Sequence, residues 1–306
     1  MREQTAVIDV EPTGEVLGAT VRGLDLSRPL AERELGAILW ALGHYGVLRF
    51  PGQTLDAAAL KAFSGRFGEL EVNVAVGAFC DPAHPEVMTL SNIKEDGRPI
   101  GLADAGQDWH TDMSYSATIA FANVLHAIKV PRRNGKPLGA TEFANTHAAY
   151  DALPDAVKVR LADATAVHDF AKLWDKMRAL PGSTRAPLTA EQRQAKPPVS
   201  HPIFLTHPIT RRKVLYANPG YALRIDGMAR ADSDALLAFL FAHQLEERFR
   251  YVHHWTEGDV LMWDDIGTLH YARPDYGPDE HRLMRRCQVM ADRVFDPAFA
   301  ARAAPA

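Results

Sequence analysis

Residues 255–271 read WTEGDVLMWDDIGTLHY, and the reading of the fold starts from them. Gly258-Asp259 makes a turn into an apolar strand, Val260–Trp263; a loop follows, and His270 lies beyond it. Working outward, the chain from about residue 85 has the same texture. Short β-type runs alternate with turn-rich connections: VMTLSN (87–92), IAFANVLHAIKV (119–130), IFLTHPI (203–209), KVLYAN (213–218), DVLMWDD (259–265) and RCQVMADRV (286–294). Such spacing predicts an all-β sandwich or barrel core. Two helical segments interrupt it. One is THAAYDALPDAVKVRLADA (146–164). The other is SDALLAFLFAHQLEERF (233–249), for which Asp232-Ser233-Asp234 offers capping oxygens.

The opening reads as strand, helix, strand, helix. EVLGATVRGLDL has β character. In AERELGAILWALGHY (31–45), Leu35, Ile38, Leu39 and Leu42 recur at helical spacing. GVLRF stops at the Pro51-Gly52 turn, and TLDAAALKAFSGRFG starts at a cap, Thr54 or Asp56. The stretch 178–202 is rich in proline and polar residues with little periodicity. Within a single 306-residue domain, a loop that long is either a lid over a site or a surface insertion.

Composition narrows the function classes. A hydrophobic fraction of 47% and a charged fraction of 24% belong to a soluble globular protein. A net charge of −4 with no basic block argues against nucleic acid as partner and against a polybasic membrane tether. No apolar run has the length of a signal peptide or a membrane span, so a cytoplasmic protein is expected. Cys80 and Cys287 are the two cysteines, too few for a disulfide scaffold or a multi-thiolate metal site; both are expected as free thiols.

The chemistry-bearing residues begin with WHTDMSY (109–115). His110-Thr111-Asp112 alone says little, since about one or two His-x-acid pairs are expected by chance in this composition, and His84-Pro85-Glu86 is another. In a strand, however, His110 and Asp112 point to one face. With His270 from a distant strand they make two imidazoles and one carboxylate. On an octahedral metal that set covers one face and leaves three positions open, the pattern of non-heme Fe(II) oxygenases. Two open positions suit a chelating co-substrate and one suits dioxygen. An anion clamp is also at hand. In RLMRRCQVM, Arg282 and Arg286 share one face if the segment is a strand, at opposite ends of one pocket; a helix is not excluded by periodicity. Arg285 and Arg293 read as solvated. His126, His147, His201, His207 and the His253-His254 pair read as surface or satisfied interior residues. Trp109, Trp255 and Trp263 read as core.

Six stretches in order carry a resemblance: FPGQ (50–53), FSGRFGEL (63–70), WHTD (109–112), GATEFANTHAAYDALP (139–154), THPITRRKVLYAN (206–218) and GDVLMWDDIGTLHYA (258–272). Together they resemble the TauD/TfdA family of Fe(II)/2-oxoglutarate-dependent dioxygenases. The resemblance implies a mainly β fold with flanking helices, a double-stranded β-helix (jelly roll) of the clavaminate synthase/TauD type. It implies that His110, Asp112 and His270 hold Fe(II), and that Thr141 and Arg282 bind the distal carboxylate of 2-oxoglutarate. Arg286 is implied to bind the substrate's anionic group or the co-substrate's other end. The departures are Ala140 for a second glycine, Asp265 for the usual asparagine after WD, and Gly106 for an asparagine before WHTD. Asn73 and Val76 stand where taurine enzymes place a histidine and a tyrosine. Asn73 is therefore the candidate substrate-binding residue, and taurine itself is disfavoured. Asp112 favours oxygenation over halogenation, which would need a small residue there.

The activity expected is hydroxylation of a small anionic substrate (sulfonate, aryloxyalkanoate or other carboxylate) with O2 and 2-oxoglutarate, giving succinate and CO2. Two rivals stand beside it: a non-catalytic jelly-roll binding protein, and a non-heme iron oxygenase that does not use 2-oxoglutarate. A homo-oligomer, dimer or tetramer, is expected.

Overall fold

The computed structural model describes residues 8–180, 183 and 185–306, apart from the side chains of residues 74–76. The Val76 side chain therefore lies outside the described residues. Seven strands form the main sheet, in the order Asp9–Pro12, Ala19–Arg22, Val47–Phe50, Val260–Asp264, Ala120–Lys129, Leu283–Met290 and Met88–Ser91. All pairings are antiparallel except that between Ala19–Arg22 and Val47–Phe50. A second sheet, Arg250–His253, Thr141–Asn145 and Thr268–Ala272, lies across from it. These two sheets are the walls of the expected double-stranded β-helix.

The main sheet is apolar on both faces, which is why its strands read as continuous runs. On the outer face, Met262, Phe121, Val124 and Val289 pack against helices Glu32–Tyr45 and Ala57–Ser64. Leu35, Ile38, Leu39 and Leu42 are all fully buried there. Each such side chain contributes roughly 1.5–3 kcal/mol relative to exposure. On the inner face, Leu125, Leu261, Trp263 and Met284 meet Phe143, Tyr251 and Trp255 of the second sheet and its flank. The shorter helix is capped by Asp56, whose side chain accepts from the Ala59 N–H.

Three local expectations change. The helical stretch after residue 146 divides into Thr146–Asp151 and Asp155–Leu161, because Pro154 cannot donate a helical hydrogen bond and takes the N-cap position instead. The later helix begins at Arg230, so Asp232-Ser233-Asp234 lies inside its first turns. Ser233 Oγ accepts from the Ile225 N–H at 2.8 Å, and Asp234 pairs with Arg230. Of segment 178–202, residues 181, 182 and 184 lie outside the described residues, and the rest is not structureless. It holds a helix, Ala190–Ala195, capped by Thr189, and a strand, Val199–Pro202, that joins a side sheet with Thr165–His168 and Ala222–Ile225.

Candidate active site

His110 and His270 are joined through the backbone. The His110 N–H donates to the His270 carbonyl at 3.2 Å, and the His270 N–H donates back at 2.8 Å. This bridge extends the second sheet by one residue and sets the two imidazole centroids 4.2 Å apart. Past the bridge the chain does not continue as a strand. It turns, with Met113 at φ +54°. Asp112 thus reaches the side of His110 through a bridge and a turn, not through the strand alternation expected. Gly220 allows the approach: a Cβ there would lie 2.6 Å from His110 Cβ.

The hydrogen bonds fix which atoms are free to ligate. His110 Nδ1 donates to the Asp108 carbonyl at 2.7 Å, so Nε2 carries the lone pair, 3.3 Å from Asp112 Oδ1. Asp112 Oδ2 accepts from Asn123 Nδ2 at 2.9 Å and from Arg286 Nη1 at 3.2 Å, which leaves Oδ1 to the cluster. His270 Nδ1 lies 3.7 Å from Asp265 Oδ1, which leaves Nε2 to face the other two. One donor atom from each residue lies within 4.8 Å of the others, and all three residues are buried. Metal–ligand bonds of about 2.1 Å set donors on one ion roughly 3–4 Å apart. The donor set, tautomers and lone pairs fit a divalent metal. Burial works against the Asp112 charge, yet Arg286 and His110 hold its carboxyl well below the usual range. Burial and the neighbouring His110 push His270 down, which favours its neutral form.

His110, His270, Thr141, Trp263, Arg282 and Arg286 line one cavity between the sheets. The arginine segment is a strand from Leu283. At the cavity's far end the Arg282 backbone is pinned on both sides, its N–H to Asn92 Oδ1 and its carbonyl to Ser91 Oγ. Its buried guanidinium has the Tyr276 hydroxyl as partner and takes part in no ion pair among the described residues. Thr141 Oγ1 accepts from Trp255 Nε1 at 3.0 Å, so its own proton is left to donate into the cavity. Asn73 lies away from this end. It borders a recess shared with Arg286, Glu71 and Met88.

A second buried group, His147, His207 and Asp264, also has its donor atoms within 4.8 Å. Two of its members, His207 and Asp264, are already hydrogen-bonded to each other and to the backbone. His207 Nδ1 accepts from the Ile209 and Thr210 N–H groups, both at 3.2 Å, so its proton is on Nε2 and goes to Asp264 Oδ2 at 3.0 Å. Asp264 also accepts from the Ile266 and Gly267 N–H groups. This is a structural lock. His207 is satisfied, as expected; His147 is not, since its Nε2 is buried with no partner.

Several site residues were not legible beforehand. Asn123 donates from one amide nitrogen to Asp112 and, at 2.6 Å, to Asp265 Oδ2. The available signal was its place as a lone amide within the apolar strand AFANVLHAIK. Trp255 and Trp263 are buried, but each also donates to a site residue, Thr141 and Asp265 respectively. Trp109 is half-buried, stacked on Tyr271, and is not core. Arg285 is half-buried rather than solvated.

A jelly roll carrying two histidines and an aspartate beside a buried arginine defines a metal-dependent oxygenase class. The model of the TauD (taurine catabolism dioxygenase), TfdA family matches residues 9–288. The chain is 32% identical to pentalenolactone F synthase of Streptomyces avermitilis, over 93% of this chain and 94% of that protein. It is also 32% identical to the alpha-ketoglutarate-dependent 2,4-dichlorophenoxyacetate dioxygenase of Cupriavidus pinatubonensis, over 92% and 98%. The crystal structure of AAD-2 in complex with Mn(II) and N-oxalylglycine superposes with a TM-score of 0.78 at 30% identity, covering 93% of this chain and 97% of that one. The chain belongs to the TauD/TfdA family. It is an oxidoreductase, a 2-oxoglutarate-dependent dioxygenase.

Proposed function

We propose that His110, Asp112 and His270 hold Fe(II), and that the enzyme hydroxylates an unactivated C–H bond of a small organic anion. The observation that carries this is the cavity itself. Three metal-competent ligands stand at one end and, at the other, a buried arginine with no carboxylate partner among the described residues. Fe(II), when bound with 2-oxoglutarate and O2, supplies the oxidant, with succinate and CO2 as co-products.

The chain's own residues do the rest. Arg282 and the Thr141 hydroxyl bind the distal carboxylate of 2-oxoglutarate; a guanidinium fork takes both oxygens and cannot lose its charge. Arg286 binds the substrate's anionic group beside Asn73. One face of its guanidinium is held by Asp112, and the other rests 3.8 Å from Met88 Sδ, a weak acceptor that an anion readily displaces. Similarity to a relative named for 2,4-dichlorophenoxyacetate supports testing aryloxyalkanoates first among candidate substrates, followed by sulfonates and other carboxylates.

Residues 185–202 serve as the cover. Arg185 makes a two-pronged ion pair with Asp104 at 2.8 and 2.9 Å, on the loop whose Ala105 and Gly106 border the cavity. Lys196 stands over the Tyr115 and Phe170 rings. Covering excludes water from the reacting carbon.

The test is an anaerobic titration of the Fe(II)-loaded protein with 2-oxoglutarate, followed by a substrate panel scored for stimulated succinate formation. A weak visible metal-to-ligand charge-transfer band is expected in wild type and absent in Asp112→Ala. No band in wild type, or the same spectrum in both, ends the proposal.

A further inference from the structure

Asp265 is fully buried, and the side-chain and backbone groups hydrogen-bonded to its carboxyl are donors. Asn123 Nδ2 reaches its Oδ2 at 2.6 Å. Trp263 Nε1 is 3.2 Å, Thr111 Oγ1 3.4 Å and the Asp112 N–H 3.5 Å from its Oδ1, with His270 Nδ1 next at 3.7 Å. Thr111 also bonds the Asp265 carbonyl. Asn123 Nδ2, Trp263 Nε1 and the Asp112 N–H are three donors on its two oxygens, the Thr111 proton going to the Asp265 carbonyl, and together they favour an acceptor with both oxygens available, which an aspartate side chain provides and an asparagine does not.

The arrangement reaches both kinds of ligand. The Asn123 amide nitrogen sits between Asp265 Oδ2 and Asp112 Oδ2, so the two carboxylates together dictate its orientation. Were residue 265 an amide, its NH2 would oppose that of Asn123. Turning Asn123 over to relieve this would aim its oxygen at Asp112. On the other side, the imidazole nitrogen of His270 that faces away from the cluster has Asp265 as its nearest acceptor.

We propose that Asp265 is a positioning carboxylate of the metal centre. It orients His270 through Nδ1 and fixes Asn123 so that Asp112 presents only Oδ1. This rests on His110, Asp112 and His270 being the ligands. Partners of this kind typically change metal affinity by about 10–100-fold when removed. A buried carboxylate also costs stability when no cation balances it. Removing it should therefore weaken metal binding without weakening the metal-free fold, a split that a merely structural residue does not give.

The experiment measures Co(II) and Mn(II) dissociation constants by competition, the Co(II) d–d spectrum, and the metal-free melting temperature. The proteins are wild type, Asp265→Asn, Asp265→Ser and Asp112→Ala. The expected result for Asp265→Asn is at least tenfold weaker binding and an altered d–d spectrum, with a metal-free melting temperature no lower than wild type. Asp265→Ser should show the same loss of affinity. Any other combination overturns the proposal, including affinity within threefold of wild type or a parallel loss of fold and affinity. If wild type binds no metal, or Asp112→Ala binds it as well as wild type does, the ligand reading itself is what fails.

Discussion

Two buried groups in this protein have the same inventory, two histidines and one aspartate, with the same closeness of donor atoms. Under the proposed reading only the first holds a metal. In the His110 group the backbone carbonyl of Asp108 takes the Nδ1 proton, so a lone pair points inward. In the His207 group two backbone N–H donors occupy Nδ1, so a proton points inward and is absorbed by Asp264. The adjacent aspartates Asp264 and Asp265 serve the two groups separately, Asp264 with His207 and Asp265 beside His270. The two groups therefore differ at His207, whose backbone partners turn a proton toward the aspartate where His110 turns a lone pair; His147, whose Nδ1 donates to the Lys213 carbonyl, is arranged like His110.

The comparison breaks most visibly on the carboxylates. Wild type should bind one divalent ion per chain, not two, by equilibrium titration. Asp112→Ala should abolish that binding. Asp264→Ala should instead destabilise by about 3–5 kcal/mol, the usual result of stripping one partner from a buried pair, as read by chemical denaturation. A second equivalent of tightly bound metal that disappears in Asp264→Ala would erase the distinction.

Next in size is the clamp that belongs to the first group alone. Arg282→Ala should weaken 2-oxoglutarate binding about 100-fold, measured by titration of the metal-loaded protein. An unchanged affinity would move the clamp elsewhere.

The second group should reveal itself through pH. Burial, then the His207 ring, lowers His147 to about 4, against roughly 6.5 for an exposed histidine. A histidine kept neutral in the fold contributes fully above the unfolded value. It loses that contribution as pH falls from about 6.5 to 4, because the unfolded chain takes up the proton first, by up to about 3 kcal/mol. His147→Gln should flatten the slope of unfolding free energy against pH in that window. His168, lowered to about 3 mainly by burial, would keep part of it. An identical slope in the variant would show that His147 is already protonated in the folded state.

The smallest effects come from two glycines. Gly267→Ala would set a Cβ 2.4 Å from Asp264 Oδ2, and Gly220→Ala a Cβ 2.6 Å from His110 Cβ. Overpacking of this kind costs about 1–3 kcal/mol. Both variants should melt lower, but only Gly220→Ala should also weaken metal binding, by a few-fold. If Gly267→Ala weakens it equally, the groups are coupled.

The main sheet was legible because its strands are buried on both faces and so appear as apolar runs, as in VLMWD and AFANVLHAI. The second sheet was not. Thr141–Asn145, Arg250–His253 and Thr268–Ala272 are short and mixed in character, and short mixed segments carry no period to read. Yet that sheet holds Thr141 and His270, and His110 bridges to it. His110, Asp112, His270, Thr141 and Arg282 were named from motif order, and the cavity gathers all of them but Asp112, which joins through His110. Asn123 escaped because one amide in a strand announces nothing until its neighbours across the sheet are known.

What the sequence determined by itself was the periodicity of burial, and with it the β-rich core, the first helices and the list of candidate ligands. Only the tertiary structure decided which nitrogens carry protons, which carboxylate oxygens are free, and which of two His/His/Asp sets can accept an ion. His110 meets His270, and His207 meets Asp264, only once the chain is folded; the backbone groups that set the tautomers lie two or three residues from each ring, Asp108 for His110 and Ile209 and Thr210 for His207, but where they point follows from the backbone path and not from the side-chain types.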